Sequence, residues 1–355
     1  MKPNEQPESN HLIKLTTLLV ALVIVMVALV VLMTGSLIFA PQLTAWFSKE
    51  EVQPVRIEKV SKLVNEWHAP DESTLPEGEA GEEIRYGREL IAHTSEYLGP
   101  KGKVMPISNG MNCQNCHLDA GTRAFGNNYG AVASTYPKFR ARSGTEETIE
   151  KRVNDCFERS LNGNPLAEDS REMKAIVAYM NWLGKDVPKG VAPEGSGIVE
   201  LAFLDRAADP QNGQLIYEQK CVTCHGTNGN GIMNAEGTAW TYPPLWGEQS
   251  YNNGAGLFRL SRFAGYIKAN MPLGATYTAP QLTDEEAWDI AAYVNTMYHP
   301  KKDISQDWPD ISKKPVDHPF GPFTDEFPED QHKYGPYKPI VEKQRHINKT
   351  LAEKK

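Results

Sequence analysis

The longest apolar run in the chain lies near its start, where Leu15 to Ala40 gives 26 residues without a charge. A membrane-spanning helix needs about 20 apolar residues, and Lys2 and Lys14 flank the N-terminal side of the run. The pattern predicts an N-terminal transmembrane helix with its start in the cytoplasm. A cleavable signal would carry a shorter apolar core and a small-x-small site, for which Gly35-Ser36 and Ala40 are weak matches. A polar stretch from Glu50 to Glu83 follows, and then the apolar positions fall into helical spacing twice over. One unit opens with Gly87-Arg-Glu-Leu-Ile91 and closes with a helix over Glu172–Leu183. The other opens with Gly213-Gln-Leu-Ile-Tyr217 and closes with a helix over Thr283–Met297, where Thr283 and the acidic run Asp284-Glu285-Glu286 make a good helix start. Ala178-Tyr179 and Ala292-Tyr293 occupy matching places in the closing helices. Two periods of one pattern imply two copies of one fold. The division expected is an anchor (1–45), a tether (46–80), a first domain (81–187), a linker (188–205), a second domain (206–300) and an extended C-terminal wrap with a mobile tail (301–355).

Each unit carries a CxxCH motif, Cys113-Gln-Asn-Cys116-His117 and Cys221-Val-Thr-Cys224-His225. Two thiols per motif can bond covalently to the vinyl groups of a haem, and the adjoining imidazole can reach its iron. Two CxxC pairs can also build a zinc site, but such pairs usually stand about 15–20 residues apart, whereas Cys116 and Cys221 are 221 − 116 = 105 apart. The reading is two covalently bound haem c groups, with His117 and His225 as iron ligands. Short helices around a CxxCH, few strand signals and a closing amphipathic helix resemble class I cytochrome c. The fold expected is therefore all-α, with two tandem domains of that kind after the transmembrane helix. The first copy inserts a loop-like excursion from Gly99 before its motif, suited to shaping a pocket.

Each iron needs a second axial ligand. In the second unit Met271 sits in the loop Asn270-Met271-Pro272-Leu273-Gly274, 22 residues before Tyr293. The same distance before Tyr179 reaches Cys156, at 23 residues, and no methionine occupies that stretch. Cys156 is then the expected distal ligand of the first haem, with a buried inert thiol as the alternative. A thiolate ligand lowers a haem potential and a methionine raises it, so the two haems would be unequal.

The chain is acidic, with a net charge of −8 and a pI near 5.7, which gives no basis for nucleic-acid binding. Against that balance the segment 138–152 is basic. If residues 152–160 are helical, Arg152, Cys156 and Ser160 share a face. Arg142 and Arg152 are expected to compensate an anion there, whereas Arg140 and Lys151 read as solvated surface. His318 and His332, in the Pro- and aromatic-rich C-terminal stretch, also read as solvated.

RARSG at 140–144 and RVNDCFERSLNG at 152–163, between two CxxCH motifs and before NMPLG, resemble the thiosulfate dehydrogenase family. Pro319-Phe-Gly-Pro-Phe323 and Lys333-Tyr-Gly-Pro336 extend the resemblance to residues 80–340. It implies a dihaem cytochrome that interconverts two thiosulfates and one tetrathionate with two electrons. Cys156 would be catalytic, Arg142, Arg152 and Ser160 would face the substrate, and Met271 would ligate the second haem. Some members place a lysine before that methionine; here Asn270 stands there and Lys268 is three residues away. The partners expected are thiosulfate and tetrathionate, an electron-transfer partner (a small cytochrome or a membrane quinone-linked protein) and the inner membrane through the N-terminal helix, with the catalytic part periplasmic. The competing function is an anchored dihaem electron carrier without a substrate of its own.

Overall fold

The computed structural model describes residues 14–30 and 66–353, with side chains to residue 347. Residues 1–61 form one unit and 62–355 another.

The predicted membrane span does not hold. Its described part is helical over residues 14–30, and residues 31–40 lie outside the described residues. Among the described residues no helix is long and apolar enough to cross a membrane. The expected single-pass inner-membrane anchor, and the localisation and membrane partner that rested on it, are corrected accordingly.

The larger unit is built on two helix pairs. The first pairs α1 (Glu79–Ala92) with α3 (Arg171–Leu183); between them in the chain lies α2 (Ile149–Arg159). The second pairs α4 (Pro210–Lys220) with α6 (Asp284–Thr296), with α5 (Leu260–Asn270) between. The starts follow from the local sequence. Thr148 accepts from Lys151 N at the head of α2, and Ser170 from Met173 N at the head of α3. Asp209 caps α4 ahead of Pro210, and Thr283 with Glu286 forms the capping box of α6. Each pair crosses at a glycine. A Cβ on Gly87 would stand 2.0 Å from Ala175 O and 2.9 Å from Tyr179 Cβ; one on Gly213 would stand 1.9 Å from Asp289 O and 2.9 Å from Tyr293 Cβ. The same glycine–tyrosine contact recurs in both copies, as the internal repeat predicts.

Each pair encloses its own core. Leu90, Phe157, Met173, Ile176 and Tyr179 lie at the centre of the first, Tyr217, Phe263, Trp288 and Val294 at the centre of the second. Burying each such side chain stabilises the fold by roughly 1.5–3 kcal/mol. The halves are not separate, however. Trp240, Tyr251, Ala255 and Phe258, from the second sequence unit, pack into the first core. Asn252 N donates to Arg159 O at 3.0 Å, and Asn252 Nδ2 to Glu158 O at 2.8 Å, closing the end of α2. The linker is likewise pinned: Phe125 N and Asn127 N donate to Gly195 O and Gly197 O at 2.7 and 2.8 Å. Among the described residues strand is confined to two antiparallel ribbons, β1 (Lys138–Arg140) with β2 (Thr145–Glu147) and β3 (Ile232–Met233) with β4 (Trp240–Tyr242).

The C-terminal stretch departs from its expected irregular path. It ends in α7 (Glu329–Tyr334) and α8 (Lys338–Glu353), and Tyr337 and Ile340 are buried in the second core. Tyr337 and Ile340 anchor the start of α8 to that core. His318 and His332 are buried, not solvated. The His332 ring stacks on Phe323 at 3.7 Å, with Nδ1 2.8 Å from Val316 O and Nε2 3.0 Å from Asp325 Oδ1. Those partners offset the cost of burying it. His318 is held against Phe320 and Trp308.

Candidate active site and the two haem cradles

The two CxxCH histidines are set up alike. His117 Nδ1 donates to Asn127 O, and His225 Nδ1 donates to Pro243 O at 3.0 Å. Each bond fixes the tautomer that leaves Nε2 without a proton, the form needed to bind a metal. The pinned linker therefore matters to the first haem cradle, because it holds the loop that supplies Asn127 O. Tyr129 stacks on His117 at 4.5 Å and fixes the ring plane.

Apolar cavities adjoin both motifs. The one beside the first, 160 Å³, is lined by Cys113, Cys116, His117, Tyr129, Val153, Cys156, Phe157 and Met180. The one beside the second, 450 Å³, is lined by Cys221, Cys224, His225, Tyr242, Ile267, Met271 and Leu282. Each therefore presents two thiols, an imidazole and a third sulfur within mostly apolar walls, which fits a covalently held haem. Cys116 lines both cavities, so the first attachment site borders the second cradle. The excursion from Gly99 returns through Met111 and Asn112, which also line these walls.

Met271 directly follows α5, at its C-cap. Asn270 also lines that cavity and donates to Tyr266 O and Phe125 O at 3.0 and 3.1 Å. Lys268 is drawn away: its Nζ lies 2.7 Å from both Leu282 O and Asp284 Oδ1.

Cys156 occupies a different environment. It lies on α2, with Arg152 Nη1 3.1 Å from its sulfur one turn earlier and Ser160 at the helix C-cap. Burial alone would raise the thiol pKa. The Arg152 cation, 3.1 Å from the sulfur, is the largest influence opposing burial, and the thiol is held below its ordinary 9.0. Three of the attachment cysteines behave oppositely: burial pushes Cys113 and Cys116 up to about 12 and Cys221 up to about 11. The environment of Cys156 thus favours the thiolate, and those of Cys113, Cys116 and Cys221 favour the neutral thiol.

On the outer side of Cys156 lies a cavity of 300 Å³. Its walls hold Cys116, His117, Cys156 and Ser160 together with five arginines, 140, 142, 152, 259 and 262, and no carboxylate. Arg142 is fixed by Asp155 at 2.9 Å, and its carbonyl accepts from Trp308 N at 2.7 Å. All four residues expected at the site, Cys156, Arg142, Arg152 and Ser160, lie on this one cavity. Lys151 is on the surface, paired with Asp155. Arg140, read from sequence as surface, lines the cavity. Arg259, Arg262, Tyr251 and Trp308 were not anticipated, because chain folding brings them from the second unit and the C-terminal wrap. Their only sequence signal is two arginines three residues apart in an acidic protein.

Residues 104–188 match the family described as SoxA/TsdA, cytochrome c domain, and residues 210–298 match cytochrome c. The chain is 41% identical over 243 residues to the thiosulfate dehydrogenase of Psychrobacter arcticus, covering 68% of this chain and 71% of that one. It belongs to the thiosulfate dehydrogenase family. The Allochromatium vinosum member is 41% identical over 236 residues, 65% of this chain and 83% of its own. The solved thiosulfate dehydrogenase (TsdBA) of Marichromatium purpuratum, in its as-isolated form, superposes with a TM-score of 0.60 at 33% identity. The match covers 66% of this chain and 50% of that one. With two cytochrome c domains and two CxxCH cradles, the protein carries two covalently bound haem c groups.

Proposed function

We propose that this protein interconverts thiosulfate and tetrathionate, 2 S2O3(2−) ⇌ S4O6(2−) + 2 e−, in the arginine-lined cavity beside Cys156. The observation that carries the reading is the pairing of a thiolate-tuned cysteine with a cavity that has five arginines and no carboxylate in its walls. An electron carrier without a substrate has no use for such a cavity.

In this reading His117 with Cys156, and His225 with Met271, hold the two irons. When bound, the haems supply one-electron chemistry, at a lower potential with thiolate ligation and a higher one with methionine. The remaining work falls to the chain. Arg152, 3.1 Å from the sulfur, keeps Cys156 a thiolate in a site that would otherwise protonate it. The Cys156 sulfur lines the place where the sulfane sulfurs of two thiosulfates would meet, the S–S bond forming between them as two electrons leave. Arg142, held by Asp155, presents a guanidinium whose fork suits sulfonate oxygens. Ser160 Oγ offers a neutral hydrogen bond on the same helix face. The second domain serves electron exchange with a redox partner.

The test is to mix the isolated oxidised protein with thiosulfate and measure haem reduction and tetrathionate. Haem reduction with tetrathionate formed is expected. A protein whose haems dithionite reduces but thiosulfate does not would contradict the reading.

A further inference from the structure

The wall of the 300 Å³ cavity is shared between the two cytochrome halves, and its charges are not equally committed. Arg152 is engaged with the Cys156 sulfur. Arg142 is paired with Asp155 at 2.9 Å. Arg259 spends Nε and Nη2 on Asp317 Oδ1, and Asp317 Oδ2 also takes the N–H and hydroxyl of Ser261 at the head of α5. Arg140 lies 4.0 Å from the buried Glu147 carboxylate. Among the described residues the one ion pair of Arg262 is a 3.7 Å contact to Glu200, whose side chain is 87% exposed. Such a pair contributes about 0–1 kcal/mol and is screened by salt. Arg262 therefore carries the least compensated charge in the cavity, on the first turn of an 11-residue helix that fixes its position. Burial and the neighbouring Arg259 cation disfavour that charge and hold its pKa below the ordinary arginine value.

Joining two thiosulfates brings two dianions together beside a thiolate. Arg142 and Arg152 stand on the wall that carries Cys156, where the first anion would sit. The second needs a cation of its own, because Arg152 is committed to the thiolate and Arg142 to Asp155 and the first anion. We propose that Arg262, from the second cytochrome domain, binds the sulfonate of the second thiosulfate, which becomes the outer end of tetrathionate. The inference rests on the reading of this cavity as the thiosulfate site. It makes the substrate site composite: the domain assigned to electron exchange supplies a binding residue. It also puts that residue at one end of α5, whose other end leads into Met271.

The experiment compares the holoprotein with Arg262→Gln, Arg262→Lys and Glu200→Gln at fixed ionic strength. For Arg262→Gln the thiosulfate concentration at half-saturation should rise on the order of 10-fold or more, the loss of one charge-assisted contact, with kcat changed far less. Tetrathionate binding to the oxidised protein, measured by calorimetry, should weaken in parallel. Lysine should restore part of the affinity, since it keeps the charge and loses the fork. Glu200→Gln should shift half-saturation the other way, modestly. Haem content and both midpoint potentials should match the parent. Parent-like affinity for both anions in Arg262→Gln would overturn this inference and leave the thiosulfate reading standing. A shifted second-haem potential with unchanged tetrathionate binding would overturn it as well, because it would assign Arg262 to the frame of α5. A parent that neither oxidises thiosulfate nor binds tetrathionate would overturn the reading and the inference together.

Discussion

In the first half of the molecule Gly87 meets Ala175 O at a helix crossing, and His117 is held by a backbone carbonyl. In the second half Gly213 meets Asp289 O, and His225 is held by a backbone carbonyl. Up to that point the halves are one design used twice. They part at the third sulfur of each cradle, Cys156 in one and Met271 in the other. Met271 follows the end of α5 in an apolar wall, with Lys268 turned away. Cys156 sits inside α2 with a guanidinium at 3.1 Å and a cationic cavity outside. The frame fixes where a haem is held; the distal residue and its neighbours fix whether anything can react there. On the proposed reading, a duplicated electron-transfer fold becomes an enzyme by changing one sulfur side chain and charging the wall beside it.

The contrast can be broken first at the sulfur. Cys156→Met makes the first cradle chemically like the second. It should keep both haems and lose thiosulfate turnover by more than about 10³-fold, roughly 4 kcal/mol of barrier. Met271→Gly should shift the second midpoint potential and leave thiosulfate half-saturation unchanged. Turnover near the parent value in Cys156→Met, read as tetrathionate formed, would remove the distinction between the halves.

The shared frame is tested at its glycines. A Cβ on Gly213 or Gly87 would meet a backbone carbonyl at 1.9 or 2.0 Å, so the helices must separate. Each Ala variant should lose about 3 kcal/mol or more, the upper range for overpacking, seen as a lowered Tm. Loss in one half and tolerance in the other would show that the two crossings are not equivalent.

Next comes the cation that tunes Cys156. Arg152→Gln should cost on the order of 1.5–3 kcal/mol, or about 10- to 150-fold in kcat/KM. The sulfur then loses its main charge partner, so the loss should deepen as pH falls. A pH-independent loss would mean that Arg152 acts on the substrate alone.

The smallest effect concerns the strap common to both halves. The strap donates Trp308 N to Arg142 O on one side and takes Arg259 onto Asp317 on the other. Burial and the Lys314 cation lower the pKa of His318 from 6.5 to about 4. The unfolded chain takes up that proton below about pH 6.5 while the folded chain resists until about pH 4. Stability is therefore full above 6.5 and falls as the pH drops between those values, by about 1–2 kcal/mol at pH 5. Asp317 adds nothing in that window, because its pKa, too, is lowered, from 3.8. His318→Gln should flatten the dependence of Tm on pH between 7 and 5. An unchanged slope would place the acid sensitivity elsewhere.

The repeated units and the Arg152–Cys156–Ser160 face could be read from the chain because they are local patterns of helical spacing. The closing helices, expected at Glu172–Leu183 and Thr283–Met297, form at Arg171–Leu183 and Asp284–Thr296. The far wall of the cavity could not be read this way. Arg259 and Arg262 lie more than 100 residues from Cys156, and packing of Tyr251, Ala255 and Phe258 into the first core brings them there. His332 misled because a polar sequence context gives no sign of an aromatic partner and two acceptors supplied from other parts of the strap. The apolar run at the N-terminus misled because hydropathy counts composition alone, whereas among the described residues no helix is long and apolar enough to cross a membrane.

The central claim is that the two haems differ in the sulfur on their distal side, with Cys156 on the first and Met271 on the second. Electron paramagnetic resonance of the oxidised protein, before and after Cys156→Met, tests it most directly. The account predicts two low-spin ferric signals in the parent, one of them of the narrow thiolate type. In the variant the narrow signal should be lost and the methionine-type signal retained. A variant that keeps both parent signals unchanged would contradict the account.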